Sequence, residues 1–311
     1  MPPRRDRVRG RTCVVTRPPA DSTRVAAQAL GSARHWLAAQ IRSRVIGDQP
    51  EAKTSEIMSA PGPRWFADDS VIRRVHSDAS MFIGGLSALL LQSLHPLAMA
   101  GVAQHSDYRA DPWGRLQRTA DFLAATTFGP IPLAERSIAT VRKVHERVVG
   151  TTDDGRAYSA NDPHLLRWVH VCEVSSFLAA YQRYGHAALS AEDADAFVRD
   201  AAFVARKLGV NEAPVDVREL RAELREYRPE LRSTKAARDA ARFLLLEPPL
   251  PVAARAPYAV IGAAAVSLLP SWTRWPLRVP FLPVSETVIV RPAGAAITQL
   301  IRWSLTPVAA A

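Results

Sequence analysis

Apolar residues recur along most of this chain at intervals of three and four, the spacing that gathers them on one face of an α-helix. Residues 1 to about 60 do so least. They are rich in Arg, Pro, Ser and Ala, and the period is visible only from Thr23 to Val45, through Val25, Leu30, Trp36, Leu37, Ile41 and Val45. This stretch reads as a flexible tail carrying one amphipathic helix, and the folded domain is expected over 61–311. From Asp68, Asp69 and Ser70, any of which can cap a helix, the apolar positions Val71, Val75, Met81, Phe82, Leu86, Leu89, Leu90 and Leu94 predict one long helical segment. It should break at His95-Pro96, because proline disfavours helical backbone at the residue before it.

A short helix then runs from Leu97 to His105. Asp111-Pro112 and Asp162-Pro163 each pair an N-cap with a proline at the first helical position, predicting helices toward Gly129 and Gly185. Pro132 to about Val149 forms another helix between them. Ser190 with Asp193 resembles a capping box and opens a helix to Leu208. Further helices are expected at about 216–228 and 234–246, from Val252 to Leu269, and from about Thr287 to Leu305. Sustained period-two alternation is missing and no hairpin is expected. The pattern predicts an all-α, multi-helix single domain.

At 311 residues, with 48% hydrophobic side chains, the chain can fill a core of that kind. Its formal charge of +10 invites a nucleic-acid reading until the charge is located. Residues 1–50 hold ten Arg against three Asp, and residues 251–311 hold five Arg against Glu286. The stretch between is close to neutral and no aromatics interleave the basic flanks, so nucleic acid is not an expected partner. Cys13 and Cys172 are too few for a disulfide framework and no apolar leader opens the chain, which suits a reducing cytoplasm. The longest apolar stretch, Pro257 to Pro270, is about 14 residues where a bilayer needs roughly 20. A buried helix is expected there. The basic flanks leave room for peripheral association with an anionic membrane.

Phosphate-loop, dinucleotide, nucleophile-elbow and zinc-protease signatures do not occur, which leaves the histidines. His95, His145 and His170 lie on helices or helix junctions among apolar neighbours. Each could be a hydrogen-bonded core residue; several together in an all-α chain also suit a metal or haem site. Val141, His145 and Val148 share one helical face with Arg142 on the adjoining strip, and an inward imidazole beside a cation suits haem and its propionates. Arg115 and Thr119 project together at i, i+4, although Thr119 could equally bond its own helix backbone. His105 beside Ser106 and Asp107 cannot form a catalytic relay, because sequence neighbours point in different directions.

The run from Leu89 to Gly129 (LLLQSLHPLAMAGVAQHSDYRADPWGRLQRTADFLAATTFG), Arg142-Lys143-Val144-His145, and Asp162-Pro163 with Trp168-Val169-His170 together resemble the bacterial branch of the MpaB-type oxygenases, grouped with the latex-clearing (rubber oxygenase) proteins. The likeness covers about residues 60–250. It implies a globin-like helical core, haem b with O2 as co-substrate, and an apolar, alkene or prenyl-like small-molecule substrate; the electron donor is not implied. By this resemblance His145 is the proximal iron ligand and Arg115 and Thr119 stand on the distal side; Arg142, Arg118 and His170 are further candidates to surround the cofactor, and His105, in the stretch before Arg115 where the relatives' catalytic carboxylate has no counterpart, joins Arg115 and Thr119 as a candidate for catalysis. The relatives' distal lysine is Arg118 here, and a guanidinium has no free lone pair for iron, so the distal position should be open. Two other readings stay open: a non-haem or metal-free enzyme using a cluster of His95, His105, His145 and His170, and a helical protein that only binds an apolar ligand.

Overall fold

A computed structural model describes residues 20–306 apart from Ile46, Asp48 and Gln49. Cys13 and the arginines before Ala20 lie outside the described residues. The fold is all-α. Within the stretch read as a tail, helix α1 (Ala20–Val45) forms and packs against α6 (Pro112–Phe128) and α15 (Arg291–Leu305), with the short α2 (Pro50–Thr54) after it.

The long segment expected from Asp68 is two helices, α3 (Val71–His76) and α4 (Met81–Gln92). Asp78 causes the break: its carboxylate accepts the Ser80 N–H at 2.8 Å, a local turn that competes with the helix. The same carboxylate holds Arg302 of α15 at 2.8 Å, and Arg302 also donates to the Tyr184 carbonyl. One buried acid thus ties the α3–α4 corner to the last helix.

At His95-Pro96 the chain turns as expected, and α4 and α5 (Pro96–His105) meet at 106°. α6 opens on Asp111, whose side chain accepts the Gly114 N–H at 2.8 Å. α7 (Ile131–His145) follows. A hairpin then contradicts the strand-free expectation: β1 (Val149–Thr151) pairs antiparallel with β2 (Ala157–Ser159). Its turn carries Asp154-Gly155, a hairpin signal in the sequence, with Gly155 at φ +84° where a side chain would be strained. α8 (Pro163–Tyr184), α9 (Ala191–Leu208), α10 (Val217–Glu226), α11 (Lys235–Leu246), α12 (Val252–Leu268), α13 (Ser271–Leu277), α14 (Pro283–Ser285) and α15 complete the order. Asp162, Ser190, Asp216 and Thr234 cap α8 to α11 through their side chains.

The centre of the domain is α8 against α4. They pack along their lengths, and a Cβ on Gly84 would stand 3.0 Å from the Phe177 ring and 3.1 Å from the Ala180 methyl. Around this pair α9 and α3 bury Phe197, Val198, Ile72 and Val75, while α11, α12 and α13 cover Leu90, Leu91, Leu94 and Trp168. Among the described residues no single helix is long and apolar enough to cross a membrane.

Replacing Gly84 with Val should force α4 from α8 and cost about 1–3 kcal/mol, the usual penalty for overpacking. A urea midpoint unchanged from the parent would show that the close approach is not needed.

Candidate functional site

Helix α8 carries the polar groups that the core does not satisfy. His170 Nε2 is buried with no hydrogen-bond partner, and burial, aided by the charge of Arg206, pulls its pKa down to about 4. One turn on, Glu173 makes no side-chain hydrogen bond or ion pair among the described residues, and burial pushes its carboxyl up to about 7. His170 is therefore neutral at physiological pH, while Glu173 exchanges its proton close to neutrality.

Two further groups of this kind come from the α6–α7 hairpin. His145 ends α7 on the stripe of the buried Ala134 and Ile138. Its Nδ1 is buried without a partner, and burial holds its pKa below the ordinary value. Arg115 on α6 is half-buried, makes no side-chain hydrogen bond or ion pair among the described residues, and is lowered by burial as well. All four residues keep part of their surface accessible while losing their bulk hydration. α6 and α7 lie on each other and reach the core through α3 and α9, with no extended contact of either along α4 or α8.

The remaining sequence-predicted residues point elsewhere. Arg118 is exposed and pairs with Asp111 at 3.3 Å. The Thr119 hydroxyl donates to the Arg115 carbonyl at 3.1 Å, a bond within its own helix backbone. Arg142 is exposed and borders an open surface groove with Glu135, Lys143, Glu146 and Lys207. His105 is exposed, with Nε2 at 3.1 Å from the Tyr158 hydroxyl. Cys172 is fully buried, and burial raises its thiol well above the ordinary value, which makes it inert.

The four-histidine metal cluster does not form: among the described residues His95, His105, His145 and His170 do not converge. His95 instead meets His164 and Glu230. It caps α5, is only 2% exposed, and places Nε2 at 3.3 Å from Glu230 Oε2. His164 Nε2 reaches the same oxygen at 2.8 Å. The Tyr227 hydroxyl donates to the His164 carbonyl at 2.8 Å and stands 3.3 Å from His164 Nδ1. Burial raises the Glu230 carboxyl, but hydrogen bonds and charge from His164 and His95 outweigh it and hold the pKa below the ordinary value. Glu173 could have been found in the sequence as the i+3 neighbour of His170. Glu230 could not, since 66 residues separate it from His164.

The neutral pair on α8 has opposite effects on stability. The unfolded chain protonates His170 near 6.5 and the folded chain only near 4, so stability contributed by His170 is lost as pH falls between those values. The fold keeps the Glu173 proton up to about 7 where the ordinary value is 4.5, so stability is lost there as pH rises. Glu173→Gln should therefore be more stable than the parent at pH 8, with the difference gone by pH 4. Urea denaturation at the two pH values measures it; equal midpoints at pH 8 would place Glu173 in water.

Neither the curated proteins nor the solved structures gave a match. The family model for "ER-bound oxygenase mpaB/B'/Rubber oxygenase, catalytic domain" matches residues 73–303, which takes in α12 to α15 beyond the stretch whose motifs carried the resemblance. Because the match runs from α3 to the last helix, the chain belongs to this oxygenase family through its catalytic domain.

Proposed function

We propose that this protein is a haem b oxygenase that uses O2 on an apolar, alkene or prenyl-like substrate, with His145 as the proximal ligand. The observation that carries the reading is the state of His145: burial lowers its pKa, its buried Nδ1 has no hydrogen-bond partner, and it ends a helix that makes no extended contact along α4 or α8. A haem needs a neutral imidazole lone pair, a dry surround and cations for its propionates. The residues fit: His145 offers the nitrogen, and Arg115 is a half-buried guanidinium with no anion of its own.

When bound, the haem supplies O2 activation at its iron. The side chains supply the rest. Arg115 has all its donors free to hold an anionic or oxygen-bearing group, and Thr119 fixes the turn of α6 that carries it. His170 offers a nitrogen that can accept a proton, and Glu173 holds one that it can give up near neutral pH. Arg118 pairs with Asp111 at the surface, and its guanidinium, lacking a free lone pair, would not serve as an iron ligand.

An apolar substrate must be drawn from a membrane or carrier. Trp275 (90% exposed), Phe281, Leu282, Val284, Val288 and Ile289 stand out from the segment around α13 and α14, with Arg278 exposed among them. Aromatic and aliphatic side chains beside a cation suit peripheral contact with an anionic bilayer.

Protein purified after expression with haem supply should show a Soret band that is lost in His145→Ala, and its ferrous form should bind CO. Apoprotein that takes up no hemin under reducing conditions would defeat the haem reading. Phe281→Ser with Trp275→Ser should cut sedimentation with phosphatidylserine vesicles several-fold; equal sedimentation of parent and variant would remove the membrane reading.

A further inference from the structure

The cluster of His95, His164 and Glu230 is used by nothing in the oxygenase reading. These residues come from three separate segments: His95 from the α4–α5 corner, His164 from the first turn of α8, and Glu230 from the single 3-10 turn Arg228–Glu230 after α10. Their ligand atoms lie within 4.8 Å of one another. We propose that His95 Nε2, His164 Nε2 and Glu230 Oε2 form a binding site for one divalent transition-metal ion of the zinc class, with a water in the fourth position. The proposal does not rest on the haem reading.

The donor set decides the class of ion. Two imidazoles and one carboxylate are a set found on zinc and on divalent iron, whereas magnesium and calcium take oxygen alone. Ligands at about 2.0–2.1 Å in a tetrahedron stand about 3.3 Å from each other. His95 Nε2 and Glu230 Oε2 are already 3.3 Å apart, and the 2.8 Å between His164 and Glu230 must open by about half an ångström, within reach of two half-exposed side chains.

The surroundings orient the ligands. His164 Nδ1 can donate to the Tyr227 hydroxyl, which donates onward to the His164 carbonyl, and this leaves the Nε2 lone pair turned toward Glu230. Tyr227 also lies against the His164 ring, with centroids 4.7 Å apart, and with Trp168 closes the back of the cluster. The exposed sides of His164 and Glu230 give an ion its path in.

Two features act against the ion. His95 Nδ1 stands 3.5 Å from the Ala98 N–H, and ligation through Nε2 moves a proton onto Nδ1 and forfeits that long contact. The α5 terminus keeps its Met99 N–H bond to the His95 carbonyl at 2.9 Å. Arg156 is the cation that bears on His95, and its charge is already met by Asp154 at 2.8 Å. Without an ion, Glu230 Oε2 contacts both rings, so metal binding replaces two hydrogen bonds.

The test is a Zn2+ titration of tag-free, full-length protein by calorimetry. One ion per chain is expected, together with a melting temperature that rises with zinc. His164→Ala and Glu230→Gln should each weaken binding on the order of 100-fold and abolish the thermal shift. Both side chains are half-exposed, so these variants remain foldable where His95→Gln, in a buried position, need not be. His145→Ala should bind zinc as the parent does, which separates this site from the haem site. No zinc bound by the parent, or equal affinity in His164→Ala and Glu230→Gln, overturns the proposal.

Discussion

The contact that the molecule depends on is the one between α4 and α8. Gly84 allows a helix backbone to approach Phe177 and Ala180 at side-chain distance, and the two helices then stay together along most of their length. Close-packed helices transmit position because neither can rotate without breaking many small dispersion contacts at once. α8 is thereby a rigid rail. His164, His170 and Glu173 have fixed heights along it, and the corner after α4 puts His95 beside its first turn.

The same packing explains why α8 carries polar groups with no partners. One side of the helix is consumed by α4 and another by α9, where Phe177, Val174 and Val198 share a core. The α6–α7 hairpin is held at a remove, anchored on α3 and α9 and on α1 from outside. His170 Nε2 and His145 Nδ1 are left unsatisfied by the fold, each at a cost of about 1–3 kcal/mol. Unpartnered buried polar groups of that cost call for a functional explanation, and both lie within the stretch that matches the oxygenase family.

Much of the architecture was legible in the chain because local chemistry fixes it. The Asp-Pro caps of α6 and α8, the break at His95-Pro96 and the cap at Ser190 each depend on one or two side chains acting on adjacent backbone. The division of α3 from α4 was less legible, since Asp78 acts through a turn whose worth depends on Arg302, more than two hundred residues away. The site divides in the same manner. His145 and His170 stand out from their apolar neighbours, but whether a histidine is partnered is a fact of tertiary structure, and the spacing of Arg115 with Thr119 turned out to include a backbone bond. The Glu230 cluster was invisible because its three members are brought together only by the fold.

The distribution of charge gains meaning from this arrangement. The net +10 lies in the flanks, and the interior of the oxygenase domain meets its few ions one at a time: Asp78 with Arg302, Arg274 with Glu286, Glu230 between two imidazoles. Against that habit Arg115 is an exception, a desolvated guanidinium with no carboxylate to answer it. A half-buried charge without a partner is costly to keep. Among the described residues no carboxylate pairs with this guanidinium, and the groups that act on it most are Tyr108 and the like charge of Arg118. Its capacity to hold an anionic group is therefore not consumed by the fold, in contrast to Arg302 and Arg274, whose forks are filled by Asp78 and Glu286.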